Sequence, residues 1–561
     1  MRKKGSALII ALAIATIQVS AQTTYIPIGH EDNYLLDRIE TRTGKLSNDL
    51  FLATQPVSRK GAVDFLESVK EDSNVRLSNI DEYNIEHAIS VSGEWAPDEN
   101  GAIDSKHPWF KTLYTKQPDL VYVHTKDFFL SANPVLTAQE IFEKDNDKNP
   151  LFTSNRGAEI RGWISKRVGF YTYFTDNQET VPSFVANWVN ANHAVPGNDY
   201  YKQNSYGKYD YLTARGYVDF AVVKNHLNVT FGYDKHFIGD GIRSLFLSDF
   251  STGASFLRLN TKIWKLNYQN LYMELVPQFI HNGGDNLLPH KYATMHHLSI
   301  NATKWLNVGL FETVIFDRRD GYEFSYMNPI ILYRQTERYN GSPDNVLLGF
   351  NVKALAAKHL QFYGQLLLDE FTSKELFAGT GYWANKFGVQ VGGKYFDAFG
   401  LRNFDLQGEM NLVRPYTYSH YDSTANYTNY NQPLAHPLGA DFIEFLGVAK
   451  YQPVKNLYLS LRGMYYVKGT DTGSSNYGGD IFADYDSRNQ DYGVRLINGV
   501  KVKCALLNFT ASYELRENLF IDLGITHREY AYESGLYPTE KTTYLLGGVR
   551  LNFVKRNYDY Y

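Results

Sequence analysis

The sequence of 561 residues contains a single cysteine, Cys504, and therefore no pair that could form an intramolecular disulfide. It also lacks any run of about 18 apolar residues, the length that a helix needs to cross a bilayer. The net charge is only −4, so there is no excess of positive charge to neutralise nucleic-acid phosphates. These absences exclude a disulfide scaffold and a helical membrane protein, and they predict no nucleic-acid partner.

Signatures of catalysis and of metal binding are also missing. No Gly-x-Ser-x-Gly, His-Glu-x-x-His or Walker sequence occurs. His296 and His297 are adjacent, so on a strand they point to opposite faces and cannot share one metal ion. We therefore predict a protein that is not an enzyme and that has no cofactor and no metal site.

One pair of acidic residues leaves two interpretations open. Asp405 and Glu409 would lie on the same face of a strand. They could form an acid pair for glycoside hydrolysis. The favoured alternative is that they pair with Lys386 and Lys394 across a hairpin.

The first residues have the pattern of a secretory signal peptide. Basic residues at positions 2–4 precede an apolar run at 7–17, and Val19-Ser20-Ala21 supplies the residues that a signal peptidase reads. The alternative is a short buried helix. We predict a signal peptide at 1–21 that is cleaved after Ala21, and hence export from the cytoplasm.

Most of the chain shows the period of two that is typical of strands. Leu360, Phe362 and Leu366 alternate with Gln361 and Gln365, and helical spacing does not fit the segment. About 18 such segments occur, from 120–130 to 543–553, with lengths near the ~10 residues that a tilted strand needs to cross a bilayer. Aromatic residues make up 15% of the chain, which suits the interfacial girdles of a membrane barrel.

The connections between these segments alternate between short and long. Short turns are predicted at 165–167, 224–226, 303–305, 358–359, 453–456 and 516–518, and long segments at 176–210, 277–291, 317–344, 416–440 and 469–490. Transmembrane barrels have short periplasmic turns and long outer loops. The sequence therefore predicts an all-β, transmembrane antiparallel outer-membrane β-barrel of about 18 strands at 119–561. Its apolar face would contact the lipid bilayer, and both termini would be periplasmic.

Residues 22–118 differ from the rest of the chain. Val63, Phe65, Leu66 and Val69 lie along one face of a helix at 59–70, with Ser58 as its N-cap. We predict a small, partly helical periplasmic segment under or inside the barrel. A loosely ordered linker is the alternative.

Two segments carry a family resemblance, residues 231–251 and 321–350. Their motifs are Asp234-Lys235, Gly239-x-Gly241-x-Arg243-Ser244-Leu245, Asn328-Pro329 and Ser342-Pro343-Asp344-Asn345. With the strand pattern, they resemble the Wzi-type capsule-assembly outer-membrane proteins, most nearly the Bacteroidetes branch, which includes a gliding-motility protein. The resemblance implies an 18-stranded barrel with an N-terminal helical piece. It also implies that long loops obstruct the lumen and that the role is non-enzymatic, holding capsular polysaccharide at the cell surface.

These observations give candidate ligand-binding residues in the loops and lumen. They are Asp234, Lys235, Asp240, Arg243, Tyr326, Arg334, Asp344, Asn345, Tyr416 and Tyr418. The favoured partner is a surface polysaccharide. The alternatives are contact with envelope or gliding-machinery proteins, and a porin-like solute channel.

Tyrosines are concentrated in three of the long loops. The residues are Tyr322, Tyr326, Tyr339, Tyr416, Tyr418, Tyr421, Tyr427, Tyr430, Tyr477 and Tyr485. Because all long loops should lie on the outer side, we predict that these rings form an outward carbohydrate platform. The rival explanation is that several of them belong to the outer interfacial girdle.

Overall fold

The computed structural model describes residues 24–96, 101–204, 207–279, 287–318, 321–330, 332–535 and 537–559. Within these residues, 18 long antiparallel strands form a closed barrel, as predicted. The strands are β1 Phe128–Glu143, β2 Leu151–Ile164, β3 Val168–Glu179, β4 Tyr209–Val223, β5 Leu227–Asp234, β6 Ala254–Ile263, β7 Leu266–Leu275, β8 Lys291–Asn301, β9 Leu306–Phe316, β10 Asn345–Ala356, β11 Leu360–Glu370, β12 Lys386–Tyr395, β13 Phe404–Val413, β14 Phe442–Val454, β15 Leu457–Thr470, β16 Val500–Arg516, β17 Leu519–Tyr532 and β18 Glu540–Leu551. The predicted signal peptide lies outside the described residues.

The barrel closes by pairing of its last strand with its first. The register of β18 on β1 runs from Tyr544 opposite Glu143 to Leu551 opposite Leu136. Every strand is antiparallel to its neighbours, so successive connections lie at alternate ends of the barrel; most of those at one end are short turns, and most of those at the other end are long. The six predicted short turns all fall at the short-turn end.

The predicted position of the first strand was wrong. Instead of one strand at 120–130, a short strand, Val121–His124, folds back on β1. The hydroxyl of Thr125 accepts a hydrogen bond from the backbone N–H of Phe128 at 3.1 Å. This side-chain cap closes a tight polar turn that apolar periodicity does not reveal.

The two faces of the barrel wall have the predicted polarity. Outward side chains such as Leu310, Val391 and Leu523 are 58%, 56% and 60% exposed. Inward side chains such as Gln365 and Asn411 are polar and buried. A lumen this wide cannot be filled by strand side chains alone, so the apolar face contacts lipid.

Within the part of the chain that the structure describes, three α-helices precede the barrel: α1 Glu31–Thr43, α2 Arg59–Glu71 and α3 Asn79–Val91. The Ser58 hydroxyl accepts from the backbone N–H of Gly61, which confirms the predicted helix and its cap. Leu36, Leu66 and Ile85 are among the residues of a small apolar core that these helices share. No helix among the described residues combines the length and apolarity required to span a membrane.

Charged residues hold α1 inside the short-turn end of the barrel. Asp37 pairs with Lys353 at 3.0 Å and also with Lys394, which lie near the short-turn ends of β10 and β12. Tyr34 donates to Asp405 at 2.6 Å. The helical segment therefore plugs this end of the lumen.

The β5–β6 connection, residues 235–253, enters the lumen from the other end. Leu245, Phe246 and Leu247 are buried, and the Phe246 ring stacks on Phe311 at 4.6 Å between centroids. This agrees with the implication of the family resemblance that long loops obstruct the lumen. We call residues 235–253 the inner loop.

The C-terminal tail also turns back into the lumen. Arg556 donates to both carboxylate oxygens of Glu179 at 2.9 Å, and Asp559 pairs with Arg462 and Arg243. Three separate segments therefore occupy the interior.

The predicted pairing of Asp405 and Glu409 with Lys386 and Lys394 was wrong. Asp405 pairs with Arg38 of α1. Glu409 accepts from the Tyr363 hydroxyl and from backbone N–H groups of the inner loop. Plug segments distant in sequence supply these partners, so the hairpin register does not decide them.

Candidate functional site

Aromatic side chains from three outer loops meet at the end of the barrel opposite the short turns. The loops are the connections β11–β12, β13–β14 and β15–β16, at residues 371–385, 414–441 and 471–499. We call the group the outer aromatic cluster; its members are Tyr382, Trp383, Tyr416, His420, Tyr421, Tyr485 and Tyr492.

Trp383 lies at the centre of the outer aromatic cluster. Its ring centroid is 4.8 Å from that of Tyr485 and 6.0 Å from that of Tyr416. Tyr382 continues the cluster to Tyr492 at 5.3 Å. These distances lie in the range of favourable aromatic pairs, so the rings hold three loops in one arrangement.

The cluster has a buried base and an exposed rim. Trp383 and Tyr416 are buried, whereas Tyr421 and Tyr492 are 42% and 55% exposed. The Tyr416 hydroxyl is used internally, as a donor to the carbonyl of Asn476 at 3.0 Å. Only the rim rings therefore offer faces to a ligand.

Charged groups lie beside the rings. The Arg488 guanidinium carbon is 4.1 Å from the Trp383 ring centroid, and this side chain pairs with Asp486 and Asp491. Lys386 lies 4.7 Å from the Tyr485 centroid. Burial, together with Lys386, lowers the pKa of His420, which keeps its ring neutral at pH 7.

Carboxylates fix the backbone of the β15–β16 loop. Asp471 accepts from the backbone N–H of Tyr477 at 2.6 Å and of Asp480 at 3.1 Å. Asp441, at the end of the β13–β14 loop, accepts from Ile497 and Asn498, each at 2.7 Å. The Asp471 bonds hold the β15–β16 loop together, and the Asp441 bonds join the two loops that carry most of the rings.

This arrangement suits binding of a sugar. Rigid rings stack on the apolar faces of sugar rings, and guanidinium, carboxylate and phenol groups supply hydrogen bonds to hydroxyls. Among the described residues, no group of three or more His, Cys, Asp or Glu could hold a metal ion.

Four of the predicted ligand-binding residues lie on or beside the inner loop. Lys235 donates to the carbonyl of Asp249 at 2.9 Å, and burial, with a contribution from Arg215, lowers its pKa to about 8. Asp234 ends β5 and accepts from the backbone N–H of Lys235.

The other two inner-loop candidates are engaged inside the lumen. Asp240 lies 3.6 Å from the ammonium of Lys353. Arg243 donates to the carbonyl of Asp559 at 2.5 Å and to Glu444 at 3.4 Å. These contacts anchor the inner loop to the wall and the tail.

A second set of candidates lies on the β9–β10 connection. Tyr326 donates to Asp344 at 2.7 Å, and Arg318 binds both oxygens of that carboxylate. Asn345 donates to the carbonyl of Ala425 at 3.0 Å. The Arg334 side chain is 54% exposed and pairs with Glu337 at 3.2 Å.

Five of the ten tyrosines that were predicted to face outward are instead buried, so the prediction was wrong for these five. Tyr326, Tyr416, Tyr418, Tyr427 and Tyr430 are buried. The Tyr418 ring stacks on Tyr427, and its hydroxyl donates to the carbonyl of Leu245 in the inner loop at 2.8 Å. The loops fold inward, and a folded loop needs large side chains as its own core.

Of the ten candidate ligand-binding residues, Tyr416 alone lies in the outer aromatic cluster; of the ten predicted platform tyrosines, Tyr416, Tyr421 and Tyr485 lie there. The sequence analysis missed Trp383 because the 371–385 connection is not rich in Tyr and Asn. The adjacent pair Tyr382-Trp383 in a loop was the available signal.

A cavity of about 650 Å³ remains between the plug segments and the wall. Its lining runs from Asn403 and Gln452 at the short-turn end to Asn198 and Pro437 in the loops. Both basic and acidic side chains line it, so it has no uniform sign of charge.

No protein-family model matches this chain, and no curated protein matches it. Among solved structures, it is similar to Wzi of Escherichia coli, an outer-membrane protein involved in group 1 capsule assembly and a carbohydrate-binding β-barrel, with a TM-score of 0.54, 12% identity, and coverage of 95% of this chain and 100% of that chain. It is also similar to OprD of Pseudomonas aeruginosa, with a TM-score of 0.41, 11% identity, and coverage of 75% and 95%. At such identities the match to Wzi establishes the fold alone. It confirms the barrel that the family resemblance implied, and the Bacteroidetes branch stays a prediction.

Proposed function

We propose that this chain is a non-enzymatic outer-membrane barrel that binds or retains surface (capsular) polysaccharide and supports envelope assembly. The outer aromatic cluster carries the proposal, because three loops hold its rings together beside an arginine and two carboxylates. A polysaccharide reaches this end of the barrel from outside the cell without entering the lumen.

Two further observations support a binding role. The interior is occupied by the helical segment, the inner loop and the C-terminal tail, each held by charged contacts. The fold is also that of a protein described as a carbohydrate-binding barrel. We further propose that residues 1–21 are a cleaved signal peptide and that residues 22–118 form the periplasmic plug of the barrel at 119–561.

The rim rings provide the test of this function. The double substitution Tyr421→Ala and Tyr492→Ala removes two exposed stacking faces and leaves the buried base intact. Loss of about 0.7 kcal/mol per ring predicts roughly tenfold weaker binding of polysaccharide purified from the same cells. Calorimetry with the detergent-solubilised protein measures the affinity, and the ratio of shed to cell-bound polysaccharide measures retention.

The matched control is Tyr537→Ala in the β17–β18 loop. This ring is 61% exposed and its centroid lies 4.8 Å from that of Tyr532, outside the outer aromatic cluster. We expect it to bind as the unmodified protein does. Unchanged affinity and retention in the double variant, with the barrel still inserted, would overturn the proposal, and shortening of the bound glycan would make the protein an enzyme.

The 650 Å³ cavity favours a second candidate function, passage of small solutes. If the three lumenal segments close the route, the protein inserted in a planar bilayer should show no sustained single-channel steps. A variant lacking the C-terminal residues 554–561 should show them more often. Regular steps from the unmodified protein would favour the channel.

A further inference from the structure

A row of polar residues lies on the lipid-facing wall of the barrel. Asn270 of β7 is directly opposite His296 of β8, which is opposite Glu312 of β9. Their inward neighbours Leu271, Met295 and Phe311 belong to the lumenal core, so the three polar side chains point outward. Polar groups facing hydrocarbon are costly, yet all three are buried.

The β9–β10 connection covers this row. We call residues 321–330 and 332–340 the wall segment; it includes a short helix, α4 Tyr333–Tyr339. The Tyr333 hydroxyl contacts the His296 ring, and Glu312 accepts from the backbone N–H of Arg334 at 3.1 Å. The segment therefore lies along the lipid-facing side of the barrel wall. The prediction that it projects from the outer end of the barrel was wrong.

Apolar contacts fix the inner side of the wall segment. Tyr326 and Tyr333 are buried against Val314, Phe316 and Val346 on the outer faces of β9 and β10. The bonds of Asp344 to Tyr326 and Arg318 hold its two ends together.

The wall segment descends far along the barrel. Tyr268 donates to the carbonyl of Pro329 at 2.6 Å, and Tyr268 is only four residues beyond Trp264 in a short turn. Four residues of a strand tilted by about 40° rise roughly 10 Å, and the apolar band of such barrels is about 25 Å tall. Pro329 therefore lies near the middle of the bilayer.

The outer side of the wall segment is strongly apolar. Phe324, Ile330 and Leu332 are 82%, 85% and 68% exposed. Side chains of this size exposed together to water would be unusual on a protein surface. Arg334 and Arg338 lie on the exposed side of α4, nearer the outer end of the wall, where long basic side chains reach the headgroups.

We propose that the wall segment is embedded in the outer leaflet and binds its anionic lipid. Phe324, Ile330 and Leu332 contact acyl chains, Arg334 and Arg338 contact lipid phosphates, and the inner side seals the polar row. The lipid binds specifically at this sector of the wall. Here the wall segment covers the strands, so the segment itself makes the contacts with the acyl chains.

Accessibility of a spin label tests the depth. Cysteine is introduced at Ile330, at Leu310 on the bare lipid-facing wall, and at Phe377 in the β11–β12 loop; Cys504 is buried, so the unmodified protein is the blank. In reconstituted vesicles, the label at Ile330 should be more accessible to oxygen, which partitions into hydrocarbon, than to a water-soluble nickel chelate. The label at Leu310 should show the same preference. A response like that at Phe377 would mean that the segment lies in water, and low response to both reagents would mean that protein covers it; either result overturns the proposal.

Anionic lipid binding is tested by Arg334→Gln with Arg338→Gln. At the attraction typical of basic residues near an anionic surface, two arginines predict roughly 30-fold weaker retention of lipid A by the detergent-solubilised barrel in native mass spectrometry. The matched control, Arg402→Gln with Arg516→Gln, removes the same charge from exposed residues at the short-turn end. Equal retention in the two variants would overturn the role of the arginines.

Discussion

Replacement of Arg38 by Met should weaken attachment of the helical plug by roughly 3–5 kcal/mol, the usual cost of removing one member of a buried ion-pair network. Arg38 is 4% exposed and binds three carboxylates: Asp81 at 2.9 Å, Asp405 at 2.5 Å and Asp397 at 2.6 Å. Met preserves much of the packing volume, so the loss arises from the buried carboxylates of Asp81 and Asp405, whereas Asp397 keeps its ion pair with Arg42.

Hydrogen exchange of the backbone amides of α1 measures this effect in the intact barrel. We expect protection in α1 to fall while protection in the barrel strands is unchanged. The control is Arg76→Met, which removes an exposed arginine from the same segment and should change stability by no more than about 0.5 kcal/mol. Equal protection in the two variants would show that the network does not hold the plug.

The sequence predicts the barrel well because strand periodicity is local. Leu366 and Gln365 are adjacent, and their opposite faces follow from geometry alone. The alternation of short and long connections then sets the two ends of the barrel. Even the Ser58 cap of α2 depends only on residues within three positions.

The interior of the barrel could not be predicted in the same way. Asp37 reaches Lys394 across 357 positions of sequence, and Arg38 reaches Asp405 across 367. Such pairs depend on how the plug segments enter a wide lumen, and the single-strand pattern contains no information on that. For the same reason, the predicted pairing of Lys394 across its hairpin was wrong.

The loop tyrosines show a related limit. Composition identifies Tyr418 and Tyr421 equally, yet one is buried over the inner loop and the other is 42% exposed. The distinction arises from contacts between loops, as does the convergence of Trp383 with Tyr485. The family resemblance selected segments that anchor the inner loop and the wall segment, whereas the outer aromatic cluster required three-dimensional placement.

Replacement of Leu523 by Arg should lower the free energy of unfolding by roughly 2–4 kcal/mol, the cost of a guanidinium on the lipid-facing side near the bilayer midplane. Leu523 is 60% exposed on β17, five residues beyond Asn518 in a short turn. Five residues of tilted strand rise roughly 13 Å, about half of the apolar band. Urea titration in phospholipid vesicles measures the change, with the folded fraction read from heat-modifiable migration on a gel.

The matched control for this substitution is Leu287→Arg. Leu287 is 91% exposed in the β7–β8 connection, so the same side-chain change there faces water and should alter stability by less than about 0.5 kcal/mol. By exposed fraction alone, Leu287 is the more accessible of the two leucines. The two sites differ in the medium around the side chain, which is water at Leu287 and hydrocarbon at Leu523. A large loss at Leu523 with none at Leu287 therefore identifies hydrocarbon as the medium around the outward face, whereas similar small changes at both would mean that water surrounds it.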